Sequence, residues 1–195
     1  QGGKNPVISP FLPPTTAIRF SVQITGENAM AYHIAEKYPI RMVGGRIPLS
    51  TDMEENYRII PEFWKSVLSS NLFSEICVLS NQSPKGILGV SVYESPQRIF
   101  YYIAVATDAP VPPDMFEFEI PAATWVVFEN NGFFKENVQS VFKRFYTEWL
   151  PFSGYEYAEL PDIEVYPVCE ETPISGHSEV WIAINKDKEG KKCTI

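Results

Sequence analysis

Along most of this chain, apolar residues recur at every second position in short runs, broken twice by runs with helical spacing. In SEVWIAIN (178–185), Val180, Ile182 and Ile184 fall on one face of a strand and Glu179, Trp181 and Ala183 on the other. The first face reads as core, while the second, small, aromatic and acidic, suits a site. FYYIAVA (100–106) repeats the pattern, with Tyr101, Ile103 and Val105 at core parity and Phe100, Tyr102 and Ala104 opposite. Tyr102-Ile103-Ala104-Val105 reappears as Trp181-Ile182-Ala183-Ile184, which points to an internal duplication.

The remaining elements fit two similar units. Segment 31–49 reads as a strand bent near Pro39 and eased at Gly44-Gly45, and segment 115–132 is its counterpart, with Pro121 in a comparable place. Ile60, Phe63, Trp64, Val67 and Leu68 lie at i, i+3, i+4, i+7 and i+8, predicting a helix over about 55–70. A second helix is expected from about Lys135, with Val138, Val141, Phe142, Phe145 and Trp149 on one face, stopped by Pro151. Two strands follow each helix, over 86–94 and 98–106 in the first unit and over 162–168 and 178–185 in the second. Val92-Tyr93 matches Val165-Tyr166. Strand–helix–strand–strand, twice, predicts an α+β fold: duplicated units related by a pseudo-two-fold, an antiparallel sheet, one helix from each half and a central groove. The halves span about 31–106 and 115–186, joined by the Pro-rich 107–115. Before them, residues 1–16 hold four of the seventeen prolines and read as a linker, and the alternating 17–24 reads as a strand that opens the domain, 17–195.

Composition narrows the function. With 195 residues, 45% of them hydrophobic, the chain can bury a substantial core. A net charge of −8 argues against direct nucleic-acid binding, which needs a basic surface, and suits a cationic ligand better than an anionic one. The basic tail (Lys186, Lys188, Lys191, Lys192) is interrupted by Asp187 and Glu189 and reads as a solvated end. Aromatics at 14% are abundant enough to cage an organic ligand as well as to fill a core. Cys77, Cys169 and Cys193 are too scattered for a disulfide framework or a zinc knuckle, and no cofactor is expected. His33 and His177 have no partners spaced for a catalytic triad, and no phosphate loop or dinucleotide fingerprint occurs. Nothing resembles a signal peptide or a membrane span, so the expected location is cytoplasmic.

The runs IPEFW, GILGVSVYE, FYYIAVA, FEIPAATWVVF, RFYTEWLPFSGYEYAELPDIEVYP and SEVWIAIN, in this order over about 31–186, resemble the GyrI-like small-molecule-binding domain. The same domain is known as the AraC-type, or bacterial transcription activator, effector-binding domain. The resemblance implies the duplicated fold, and a cationic or lipophilic organic effector held between aromatic walls and a buried carboxylate. It also implies a DNA-binding region upstream of residue 1, so that DNA would be a partner only through that region, and it leaves homodimerisation open. Glu179 is the candidate carboxylate. Trp181, Tyr102 and Phe100 share its parity, Tyr93 and Tyr166 follow from the matching second strands, and Trp64 is the candidate from the helix. A neighbouring Tyr hydroxyl or Arg would instead make Glu179 merely structural. Some GyrI-like proteins hydrolyse electrophilic small molecules, and the same Glu would then be a general base for water. A protein-interaction module is the third reading, and it requires a large exposed apolar patch.

Overall fold

In a computed structural model, the chain is described at residues 30–131, 134–166 and 177–186. The linker, the strand expected over 17–24, the loop that contains Cys169 and the tail beyond Lys186 lie outside the described residues. Among the described residues, nine strands form one antiparallel sheet: β1 (Tyr32–Lys37), β2 (Ile40–Pro48), β3 (Ile87–Ser95), β4 (Arg98–Ala106), β5 (Phe116–Ile120), β6 (Ala123–Asn131), β7 (Tyr155–Tyr157), β8 (Asp162–Tyr166) and β9 (His177–Lys186). Their order is β1-β6-β9-β8-β3-β4-β2-β5, with β7 continuing beside β9. About the β3–β8 seam this order is symmetric, so β3 corresponds to β8, β4 to β9, β2 to β6 and β5 to β1. The expected duplication and its pseudo-two-fold are thus built into the strand pairing.

The sheet closes on itself. In a flat sheet of this order β1 and β2 would stand about 29 Å apart, yet only Tyr38 and Pro39 join them, a link of at most about 10 Å. The same holds for β5 and β6, joined by Pro121 and Ala122. Lys37 faces Ala123 and Ile40 faces Ile120, so both chains advance equally around the corner and one ladder runs through it. Proline suits the corner because it needs no ladder partner for a missing N–H.

Closure gives the central strands two buried faces. On the enclosed face lie Met42, Leu88, Val90, Tyr102, Ala104, Trp125, Val127, Ile163, Trp181 and Ala183. On the outer face Val43, Ile103, Val105, Val126, Phe128, Val180, Ile182 and Ile184 pack against the helices. Both faces being buried, apolar alternation alone could not reveal which one the helices cover.

Helix α1 (Met53–Leu68) starts where the Asp52 side chain accepts a hydrogen bond from the Glu54 N–H. It buries Trp64 and Val67, while Leu68, expected on its apolar stripe, is exposed. A short α2 (Asn71–Cys77), not expected from the pattern, follows at once and buries Ile76. In the second unit α3 (Phe134–Arg144) runs into a π-helical turn, Phe145–Trp149, and then α4 (Leu150–Ser153). Pro151 therefore does not stop the helix. It sits in the first turn of α4, where a missing N–H costs nothing, and the stop is Gly154 in the left-handed region at φ 72°.

Candidate functional site

The outer faces of β3 and β8 form the floor between the two helical segments. Gly89 lies opposite Glu164 and Ser91 opposite Asp162. From α1, on one side, Trp64 reaches down to Tyr101 of β4. Its indole Nε1 donates to the Tyr101 hydroxyl at 2.9 Å, and that hydroxyl donates to Glu164 Oε2 at 3.1 Å. The Tyr166 hydroxyl donates to the same oxygen at 2.5 Å, and its ring meets Trp64 edge-on with centroids 5.4 Å apart. Gly89 makes the convergence possible, since a Cβ there would stand 2.3 Å from the Tyr101 hydroxyl oxygen.

Both tyrosines are spent on Oε2, and Glu164 Oε1 has no hydrogen-bond partner among the described residues. Among those residues the one buried side-chain nitrogen or oxygen left unpartnered is Trp125 Nε1, so Oε1 is not sealed in. Burial pushes the Glu164 carboxyl above its ordinary range, and the hydrogen bonds from Tyr166 and Tyr101 pull it partly back. Tyr101 and Tyr166 are raised well above the usual phenol value by burial and then by the Glu164 charge, which keeps them neutral donors.

A second carboxylate occupies the same floor. Asp162 shares its parity with Glu164, and its Oδ1 accepts a long hydrogen bond from Tyr157 at 3.4 Å. Tyr157 packs edge-on against Tyr146 of the π-helical turn at 5.9 Å. Burial, only partly offset by the Tyr157 hydroxyl and reinforced by Glu164, pushes the Asp162 carboxyl up to about 7. Tyr146 is pushed up to about 12 by burial and then by Asp162. Tyr93, half exposed on β3, is raised by the same two causes in the same order.

The seven residues singled out in the sequence do not converge on one groove. Trp64 and Tyr166 come together around Glu164, and Tyr93 lies near Asp162 on the same face. Glu179, Trp181, Tyr102 and Phe100 belong to the enclosed face, because the helices pack on Val180, Ile182 and Ile184 instead. There the Trp181 indole N–H donates to Glu179 Oε2 at 2.7 Å, and Lys37 Nζ lies 5.0 Å from the Trp181 ring centroid. Arg46 donates to the Tyr102 hydroxyl at 2.9 Å and stacks over Phe100 at 4.4 Å. Glu179 thus has an indole donor within the protein, and the ring of that indole lies against the Lys37 ammonium.

Sequence reasoning missed Glu164, Asp162, Tyr101, Tyr146 and Tyr157. A signal existed for the first two, because in DIEVY the acids alternate with Ile163 and Val165, both buried. Tyr101 was hidden by its apolar neighbours at the same parity, Ile103 and Val105. No group of three or more His, Cys, Asp or Glu among the described residues is placed to hold a metal ion. No helix among them is long and apolar enough to cross a membrane.

Comparison with known proteins bears on the family and the fold. Residues 30–185 match the GyrI-like small molecule binding domain. A transcription regulation protein from Staphylococcus aureus MU50 superimposes with a TM-score of 0.68 at 19% identity, over 80% of this chain and 99% of that one. SAV2435, in a structure bound to tetraphenylphosphonium, gives 0.69 at 19% identity over 80% and 94%. The C-terminal domain of EcmrR gives 0.53 at 13% identity over 80% and 98%. At these identities the likeness establishes the fold. No protein of curated function matches. With four-fifths of its length matched by one family, the chain belongs to the GyrI-like small molecule binding domains.

Proposed function

We propose that this chain is the effector-sensing domain of a bacterial transcription regulator, and that it binds a lipophilic organic cation in the cleft over β3 and β8. The observation that supports this most is Glu164. It is a carboxylate pushed upward by burial, with two neutral tyrosine donors on one oxygen, no cation of the protein paired with it among the described residues, and the other oxygen unpartnered. Burying such a group costs free energy unless a positive charge arrives. A cation resting on the faces of Trp64 and Tyr166 gains about 0.5–2 kcal/mol from the rings in addition. Glu164, Trp64, Tyr101 and Tyr166 take the role expected of the Glu179 set, which lies on the face away from the helices.

Two further observations favour this reading. The similar SAV2435 was captured with tetraphenylphosphonium, a bulky lipophilic cation, and the similar EcmrR domain is the C-terminal part of its protein. A net charge of −8 favours cations over anions. In this reading residues 1–16 link the domain to a DNA-binding region that precedes it.

A thermal-shift titration with tetraphenylphosphonium, using the neutral isostere tetraphenylmethane as control, tests the proposal. Ligand at a hundredfold its Kd stabilises the native state by about 2.7 kcal/mol. Stabilisation by the cation alone, lost in Glu164→Gln, is the expected result. Equal shifts in wild type and Glu164→Gln would remove Glu164 as anchor. No shift with any lipophilic cation, together with turnover of an electrophilic substrate, would instead make the carboxylate a general base.

A further inference from the structure

The cleft floor carries two carboxylates. Asp162 and Glu164 are separated on β8 by Ile163, which points into the enclosed face, so their side chains stand about 7 Å apart on one surface. Each has its own aromatic set. Glu164 has Trp64, Tyr101 and Tyr166, whereas Asp162 has Tyr146 and Tyr157 from the second unit and Tyr93 from β3.

In each carboxylate one oxygen accepts from tyrosine and the other has no partner among the described residues. Neither forms an ion pair among those residues, although Arg41, Arg46, Arg58, Arg98 and Arg144 all pair with glutamates elsewhere. The groups that face Asp162 are Tyr157 of β7, Tyr146 of the π-helical turn, Tyr93 of β3 and Glu164 of its own strand. Three are phenols and one is an acid, so nothing among them supplies a positive charge.

We propose that the cleft is built for an elongated organic ligand with two positive charges, one over Glu164 and one over Asp162. This rests on the reading of the cleft as a cation site and specifies the class of ligand. A monocation at Glu164 leaves Asp162 uncompensated beside a second set of rings. A dication whose charges match the spacing of the carboxylates neutralises both, with each charge among its own aromatic faces. The second charge also selects against monocations of equal size, because only the dication gains the Asp162 contact.

The test is calorimetric titration of the wild-type chain with a homologous series of α,ω-bis(trimethylammonium)alkanes, against alkyltrimethylammonium ions of matching length. The expected result is a bis-cation preference of roughly tenfold or more, peaking at a nitrogen separation near about 7 Å. In Asp162→Asn the preference should collapse to about twofold or less, while in Glu164→Gln both series should weaken. Bis-cations that bind no tighter than monocations overturn the dication proposal and leave the cation site standing. So does a preference that survives Asp162→Asn. If neither series nor tetraphenylphosphonium binds, the cation reading fails and the dication proposal with it.

Discussion

Gly89 and Glu164 face each other across the β3–β8 ladder, and a Cβ on Gly89 would lie 3.0 Å from Glu164 Oε2 and 2.3 Å from the Tyr101 hydroxyl oxygen. The space of one methyl group is therefore what lets the Tyr101 hydroxyl stand beside the carboxylate. No positive φ is involved, so an alanine meets a steric obstacle and not a backbone one. Gly89→Ala should displace the Tyr101 hydroxyl, break its link to Trp64, and destabilise the domain by about 1–3 kcal/mol. Urea denaturation reads the loss. Near-ultraviolet circular dichroism, sensitive to the setting of Trp64, should change with it. An unchanged spectrum and midpoint would mean that the network tolerates a methyl group.

Two glutamates compete for the role of anchor, and their surroundings separate them. Glu164 takes donors only from phenols, while Glu179 accepts from the Trp181 indole, whose ring centroid lies 5.0 Å from Lys37 Nζ. A charge-assisted contact contributes about 1.5–3 kcal/mol. Glu164→Gln should accordingly weaken lipophilic-cation binding roughly tenfold to a hundredfold, while Glu179→Gln should leave affinity within about threefold. Titration of both variants with tetraphenylphosphonium decides the matter, and the reverse ranking would return the anchor to Glu179.

The fold was more legible than the site, for a physical reason. Strand alternation, the two helical stripes and the repeated Tyr102–Val105 and Trp181–Ile184 runs are local, and they predicted the duplicated α+β unit. Which face of β9 the helices cover depends on sheet closure through Tyr38-Pro39 and Pro121-Ala122, a long-range property. In a closed sheet the enclosed face is as buried as the helix-covered one, so Glu179 and Trp181 looked like groove residues on parity alone. Glu164 and Asp162 were visible as acids at alternate positions of DIEVY. Their meaning depended on Tyr101 and Trp64, which arrive from other elements. Pro151 misled because proline ends a helix interior yet suits a first turn, and the π-helical turn before it leaves no signature in the apolar spacing.

The close pairing of β2 with β4 can be tested at Gly44, which lies between β4 and β5 and pairs with Ala104 on one side and Phe116 on the other. A Cβ at this position would stand 2.1 Å from the Ile103 carbonyl oxygen and 2.5 Å from Ala104 Cα. Those are backbone atoms of a central strand, so no side chain can swing aside. Gly44→Ala should cost about 3 kcal/mol or more. Gly45→Ala, one residue on, meets only the ends of Leu72 and Phe63, the nearest at 3.2 Å. It should cost about 1 kcal/mol or less. Paired urea midpoints give the comparison, and equal losses at the two glycines would contradict the close approach of β2 and β4.

Asp162 should leave a mark on stability even without ligand. Its carboxyl titrates at about 7 in the native state, against an ordinary value of 3.8, because burial outweighs the Tyr157 hydrogen bond and Glu164 adds repulsion. Between those values the native state holds a proton that the unfolded chain has released. The contribution of this group is thus fully present below the unfolded value and is lost as pH rises through the native one. The ligand-free domain should lose stability between about pH 4 and about pH 7, and Asp162→Asn, which has no proton to lose, should show a shallower decline. Glu164 is shifted in the same direction and keeps its own share of the slope in that variant. The measurement is the urea midpoint of both proteins across this range. Parallel curves would mean that Asp162 is ionised and well solvated in the free cleft, and that a second positive charge would find little there to compensate.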